Sequence, residues 1–332
     1  MNGRGYRGWW LGTSPSSALG QHRSGAGQDQ HEAKATQRFQ SYLSIAKKFG
    51  NWAKFTAKHI LSFFNVRNIG AKLLLLAITL LNFSAAERPL PEPPVRSGSK
   101  VSVVVIDPGH GGKDPGTSGK KVKEKEVALK IALLFGDYIQ RNLPNVKVIY
   151  TRKDDRYLDL NERAEIANKS KADVFVCIHA NSAPRPDAHG TETYVMGLHK
   201  TEQNFQVSKR ENSVMLLDEK YEDNYEGFDP SSPESYILFS LAQSAYQESS
   251  LKLAEKVETQ FRVKAGRKSN GVKQAGFWVL WKTTMPSILT EVGFLTNASE
   301  EAYLGSPEGQ QAIAASLFRA FKEYKTQIEA IN

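Results

Sequence analysis

Residues 101–112, VSVVVIDPGHGG, constrain the fold more than any other stretch of the chain. From Val101 to Ile106 only Ser102 interrupts a run of β-branched and aliphatic residues, which suits a strand buried on both faces. Asp107, Pro108 and Gly109 end that run, and His110 follows with two more glycines. Open α/β sheets place their ligands in the crevice past the carboxyl ends of the strands, so a histidine there is a candidate for chemistry. The flanking glycines let backbone or substrate approach it closely.

Strands and helices alternate from there on. Glu124 opens a helix whose Val127, Ile131, Leu134, Phe135, Tyr138 and Ile139 form one inward stripe. Glu124 begins that same face, and an inward carboxylate in a first turn is helped by the helix dipole yet wants a cation. The pattern predicts further strands at 145–150, 172–178, 191–196, 277–281 and 287–290. It predicts helices at 158–169, 235–262 and 307–328, with an acid-rich insertion at about 197–235 that interrupts the alternation and lies outside the core. The expectation is a single α/β domain over 101–328, a mostly parallel twisted sheet with helices on both faces. His110, His179 and Glu291 stand at or just past the carboxyl ends of three different strands and should meet along one edge.

Charge locates the front of the domain. The 11 Lys and Arg residues before position 73, against Asp29 and Glu32, account for the net +9 of the chain. The remainder is balanced, with 33 bases and 33 acids, which argues against a nucleic-acid-binding core. After the basic leader (1–72) comes LLLLAITLLNFSAA (73–86), in which Ser84 and Ala86 are placed like a signal-peptidase site. A secretory signal peptide is the expected reading, with an uncleaved anchor or a buried helix as alternatives. A Pro-rich linker (87–100) follows. Export implies a periplasmic or otherwise extracytoplasmic protein whose contact with membrane is limited to an uncleaved signal segment. The single cysteine, Cys177, excludes an intramolecular disulfide framework.

Two histidines and a carboxylate, with one position left open, form the ligand set of a hydrolytic zinc site. Here they are His110, Glu124 and His179. Singly, each has a plain structural reading, a satisfied histidine or a helix-capping acid. His189 and His199 lie in polar loop sequence and read as surface residues, and Cys177 reads as a small buried hydrophobe. Glu291 is the candidate general base. Asp107 and Asn181 flank the histidines as orienters or as turn caps.

The segments IDPGHGGKDPG, EKEVALKIA, YLDLNERAEIAN, ADVFVCIHANS, GTETYVMG and MPSILTEVGFLTN resemble the successive motifs of the zinc-dependent N-acetylmuramoyl-L-alanine amidases of the amidase 3 type. The resemblance spans about residues 101–326. It implies Zn²⁺ held by His110, Glu124 and His179, catalysis by Glu291, and peptidoglycan as substrate. The insertion, with FDPSSPESYI, resembles versions from the Bacteroidetes group. Related amidases of the division machinery are held inactive by a segment covering the zinc until a partner displaces it. The same is expected of the insertion, whose Glu211, Asp218, Glu219, Glu222, Asp223 and Glu226 include an acid able to reach an open metal position. A solvated loop is the alternative for that segment. For the whole domain, the rivals are another zinc peptidase acting on stem peptides and a non-catalytic wall-binding module.

Overall fold

A computed structural model of the chain describes residues 100–237, 239 and 246–330. The basic leader, the signal segment and all but the last residue of the linker lie outside the described residues.

The domain is built on one six-stranded sheet. In chain order its elements are β1 (Val103–Pro108), α1 (Glu124–Asn142), β2 (Lys147–Tyr150), α2 (Leu160–Lys169), β3 (Val174–Asn181), β4 (Thr191–Met196) and α3 (Glu202–Asn212). A short α4 (Tyr221–Asn224), α5 (Gln247–Lys264), β5 (Ser269–Ala275), α6 (Trp278–Trp281), β6 (Ser287–Phe294), α7 (Ala298–Gly305) and α8 (Pro307–Ala330) follow. The spatial order is β2-β1-β3-β6-β4-β5. All pairings are parallel except β4 with β6. β3 and β6 sit in the middle and are buried at every position, as near-continuous apolar runs require.

Helices α1, α5 and α8 cover one face. Val127, Ile131, Phe135 and Ile139 from the α1 stripe pack with Phe261, Ile313, Leu317 and Phe321 against Val104, Ile106, Val176 and Ile288. On the other face α2 starts at a capping box, in which Asp159 accepts the Glu162 N–H and Glu162 accepts that of Asp159.

The insertion is a correction to the sequence reading. It is folded, and it supplies the rest of the second layer: Phe205, Met215, Tyr225, Phe228 and Tyr236 are buried with Tyr194, Leu289 and Trp278. Trp278 is wholly buried, its ring centroid 5.3 Å from that of Tyr225 and 5.2 Å from that of Phe228. Around Trp278 lies a second correction. The apolar run 277–281 is the one-turn helix α6, and the strand is the preceding SNGVKQA, now β5. Short buried apolar runs do not separate helix from strand, whereas β5 is a half-exposed edge strand with little hydrophobic signal. Of the helix expected over 235–262, α5 accounts for the part from Gln247 onward, and residues 238 and 240–245 lie outside the described residues. No helix among the described residues is long and apolar enough to cross a membrane.

Candidate active site

His110 has φ 60°, a left-handed value that few non-glycine residues adopt. Two buried arginines hold the turn that delivers it. Arg163 donates to the carbonyls of Pro108 (2.8 Å) and His110 (2.7 Å), and Arg152 to those of Pro108 (3.0 Å) and Gly109 (2.7 Å). Three consecutive carbonyls at the end of the sheet ladder are thereby satisfied, as buried backbone requires.

Asp107 secures Arg163, with Oδ1 2.8 Å from Nη1. Burial works to raise that carboxyl, but Arg163 prevails and holds it below the usual range. Thr151 and Cys177 also donate to Asp107, at 2.5 and 3.0 Å. Burial and then the Asp107 carboxylate push the Cys177 thiol up to about 12, so it stays a neutral donor. Asp107 therefore supports the turn and does not orient the imidazole. That role falls to Asp114, whose Oδ2 lies 2.6 Å from His110 Nδ1 and leaves Nε2 facing inward.

His179 projects from within β3, and Gly109 passes so close that a Cβ there would stand 2.4 Å from its ring. Glu124, the first residue of α1, accepts backbone N–H groups from Thr117 (2.7 Å) and Ala180 (2.9 Å), which fix its carboxylate. His110 Nε2 and His179 Nδ1 lie 3.0 and 2.9 Å from Glu124 Oε1. A fourth group arrives from the end of α3: Glu211 Oε2 lies 3.2 Å from His110 Nε2 and 3.0 Å from His179 Nδ1.

The four ligand atoms fall within 4.8 Å of one another. Edges of a tetrahedron with bonds of about 2.1 Å are about 3.4 Å, so the spacing suits a four-coordinate divalent ion. Among the described residues, nothing makes a hydrogen bond to the buried His110 Nε2 or Glu211 Oε2, and such atoms call for a ligand. Burial disfavours a charged imidazole, yet the Glu124 carboxylate beside His110 and the Glu211 carboxylate beside His179 drive both rings well above the histidine range. Burial likewise works to raise Glu124, but His110 holds it down at about 2. The pocket attracts positive charge, as a cation site does.

Glu291 lies on β6 directly opposite His179, so the two side chains share a face on neighbouring strands. It is fully buried. Burial and the Glu211 carboxylate push it well above the usual range against the pull of Arg210. Arg210 pairs with Glu211 (2.8 Å), donates to Asn181 Oδ1 (2.9 Å) and stands 3.5 Å from Glu291 Oε1. Two consecutive residues of α3 thus cover the ligand cluster and the buried acid together.

Asn181 does not touch His179. Its Nδ2 donates to Glu192 (3.2 Å). His189 is exposed, as expected, whereas His199 packs against Phe205 and Tyr236, with centroids 4.9 and 5.8 Å away. Of the six acids between 211 and 226, Glu211 alone joins the cluster, and nothing in their spacing singles it out. Asp114 and Arg210 escaped the sequence reading. An acid four residues after His110, inside a glycine-bounded turn, was the available signal for the first.

A family model described as N-acetylmuramoyl-L-alanine amidase matches residues 104–323. The N-acetylmuramoyl-L-alanine amidase AmiC of Escherichia coli O6:H1 is 32% identical over 240 residues, which is 70% of this chain and 55% of that protein. The chain thus spans little more than half of that relative. AmiA of Escherichia coli K12 is 32% identical over 233 residues, 69% of this chain and 78% of AmiA. The solved structure of AmiC2 from Nostoc punctiforme superposes with a TM-score of 0.50 at 31% identity, covering 68% of this chain and 98% of that one.

Proposed function

The chain belongs to the N-acetylmuramoyl-L-alanine amidase family, and from that premise we propose that it is a zinc amidase of the cell wall. Its reaction is hydrolysis of the amide joining the lactyl group of N-acetylmuramic acid to the L-alanine of the stem peptide. His110, Glu124 and His179 are the resident ligands. Zinc bound there supplies Lewis-acid polarisation of the scissile carbonyl and makes water acidic enough to lose a proton near neutral pH. Glu291, on the strand beside His179, accepts that proton and returns it to the departing nitrogen. The protein acts outside the cytoplasm, delivered by the segment 73–86.

Glu211 makes the resting state inactive. It takes the position that substrate and water need, and an activator that draws the end of α3 aside opens the site. The observation that carries the proposal is the convergence of the four ligand atoms, with Glu291 on the adjoining strand.

The test is digestion of purified peptidoglycan by the zinc-loaded protein, followed by product identification. New L-alanine amino termini paired with free lactyl carboxyls are expected. Cleavage between amino acids of the stem would make the protein a peptidase, and wall binding without cleavage would make it a binding module.

A further inference from the structure

Arg210 occupies a defined seat. Its Nη2 lies between Asn181 Oδ1 (2.9 Å) and Glu291 Oε1 (3.5 Å), and its Nη1 reaches the Ser182 carbonyl at 3.4 Å. Buried acceptors surround a nitrogen that bears hydrogen, beside the acid that must protonate a leaving nitrogen. Glu291 Oε2 is itself buried and has no hydrogen-bond partner among the described residues. We propose that this seat belongs to the scissile nitrogen of the substrate, and that Asn181 is a catalytic residue whose Oδ1 accepts the amide N–H. The assignment rests on the amidase reading above.

Several contacts fix which end of the Asn181 amide faces the seat. Its Nδ2 donates to Glu192 Oε2 (3.2 Å), and its Oδ1 accepts the Ser182 N–H (2.7 Å) as well as Arg210. A flipped amide would set oxygen against a carboxylate and NH₂ against two donors, so the hydrogen-bond network determines the orientation. Glu192 stays an acceptor because Tyr194 (2.7 Å) and Lys273 (2.6 Å) donate to it. A register shift between His179 and Asn181 re-aims the end of β3, so that the two residues serve different parts of one site.

The chemistry needs such an acceptor. The water oxygen bonds to the lactyl carbon, the C–N bond breaks, and the nitrogen becomes a pyramidal amine with a lone pair. One water proton travels through Glu291 to that lone pair, and the other leaves with the carboxylic acid. Holding the existing N–H on Asn181 turns the lone pair toward Glu291. An amide nitrogen left free to rotate would face the acid only part of the time.

The test compares two substrates, a muramoyl-L-alanyl peptide and the matched ester in which oxygen replaces the scissile N–H. Both are measured in a background carrying Arg210→Ala and Glu211→Ala, which clears the seat. Adding Asn181→Ala should lower kcat/KM for the amide by about 10- to 100-fold, the value of one hydrogen bond made in the transition state. The ester should change by less than about threefold, because it has no hydrogen to give. Asn181→Leu, of similar size, serves if the alanine variant does not fold: it also lacks the acceptor, so the amide loss persists and the ester is again spared. Equal losses on both substrates, or no loss on the amide, overturn the assignment. If the background protein cleaves neither substrate, the amidase reading fails and takes the assignment with it.

Discussion

A histidine at φ 60° keeps its place only because its surroundings over-determine it. Asp114 sets the ring, Arg163 and Arg152 hold the carbonyls, and Asp107 holds Arg163. Asp114→Asn should weaken zinc binding by about 10- to 100-fold, as measured by chelator competition, because the ring loses the carboxylate that fixes its tautomer. Arg163→Met strands the buried Asp107 carboxylate and should cost about 3–5 kcal/mol in urea unfolding. Glu291→Gln should keep the metal and lose about 10²- to 10⁴-fold in turnover, because an amide cannot accept and return the proton. Unchanged turnover would remove Glu291 from the mechanism. His110, His179 and Glu291 were legible because each follows or ends an apolar run, and Glu124 because it opens the inward stripe of a helix. Asp114 and Arg210 sit in polar sequence without period, and only three-dimensional proximity gives them meaning.

At the scale of the element, the end of α3 sets Arg210 and Glu211 against the ligand cluster and Glu291. The side chain of Asn212 clamps it to α6, donating to the Gly276 carbonyl (2.7 Å) and accepting the Trp278 N–H (2.9 Å). Glu211→Ala should raise turnover on isolated wall with little change in zinc content, since three resident ligands remain. A folded, zinc-loaded variant no faster than the parent would show that Glu211 is no plug.

Strand β4 and the edge strand β5 are tied together by Glu258 of α5, which accepts from Thr193 (2.6 Å) and Thr191 (2.9 Å) of β4 and from Ser269 (2.5 Å) of β5. Burial nevertheless raises its carboxyl above the usual value. A raised folded pKa means that the contribution of Glu258 to stability is complete below the unfolded value and drains away as pH rises through the folded one. Glu258→Gln, which never ionises, should thus shift Tm more favourably at pH about 8 than at pH about 4. A shift independent of pH would mean that Glu258 ionises in the fold as readily as in the open chain. β5 was hidden in the sequence because its half-exposed, polar residues look like loop, and α6 was misread because aromatic burial leaves no period in five residues.

Over the whole molecule, the alternation of strands and helices was legible because it is written in long apolar runs. The second layer was not, because a segment rich in acids scatters its buried aromatics between charges. That layer makes the insertion structural. Removing residues 197–235 would bare Trp278 and the sheet face beneath it, so the deletion should yield an unstable protein and not a hyperactive one. Trp278→Ala alone should cost about 3–5 kcal/mol.

His179, Glu291 and Glu192 occupy paired positions on β3, β6 and β4. Their separation is thus the strand spacing itself, about 4.8 Å. A slip of β6 by one residue would carry Glu291 to the opposite side of the sheet. On heating, loss of activity and loss of the circular dichroism of the sheet should therefore coincide. A misassembled copy would lack the pairing of His179 with Glu291 on which the proposed reaction depends.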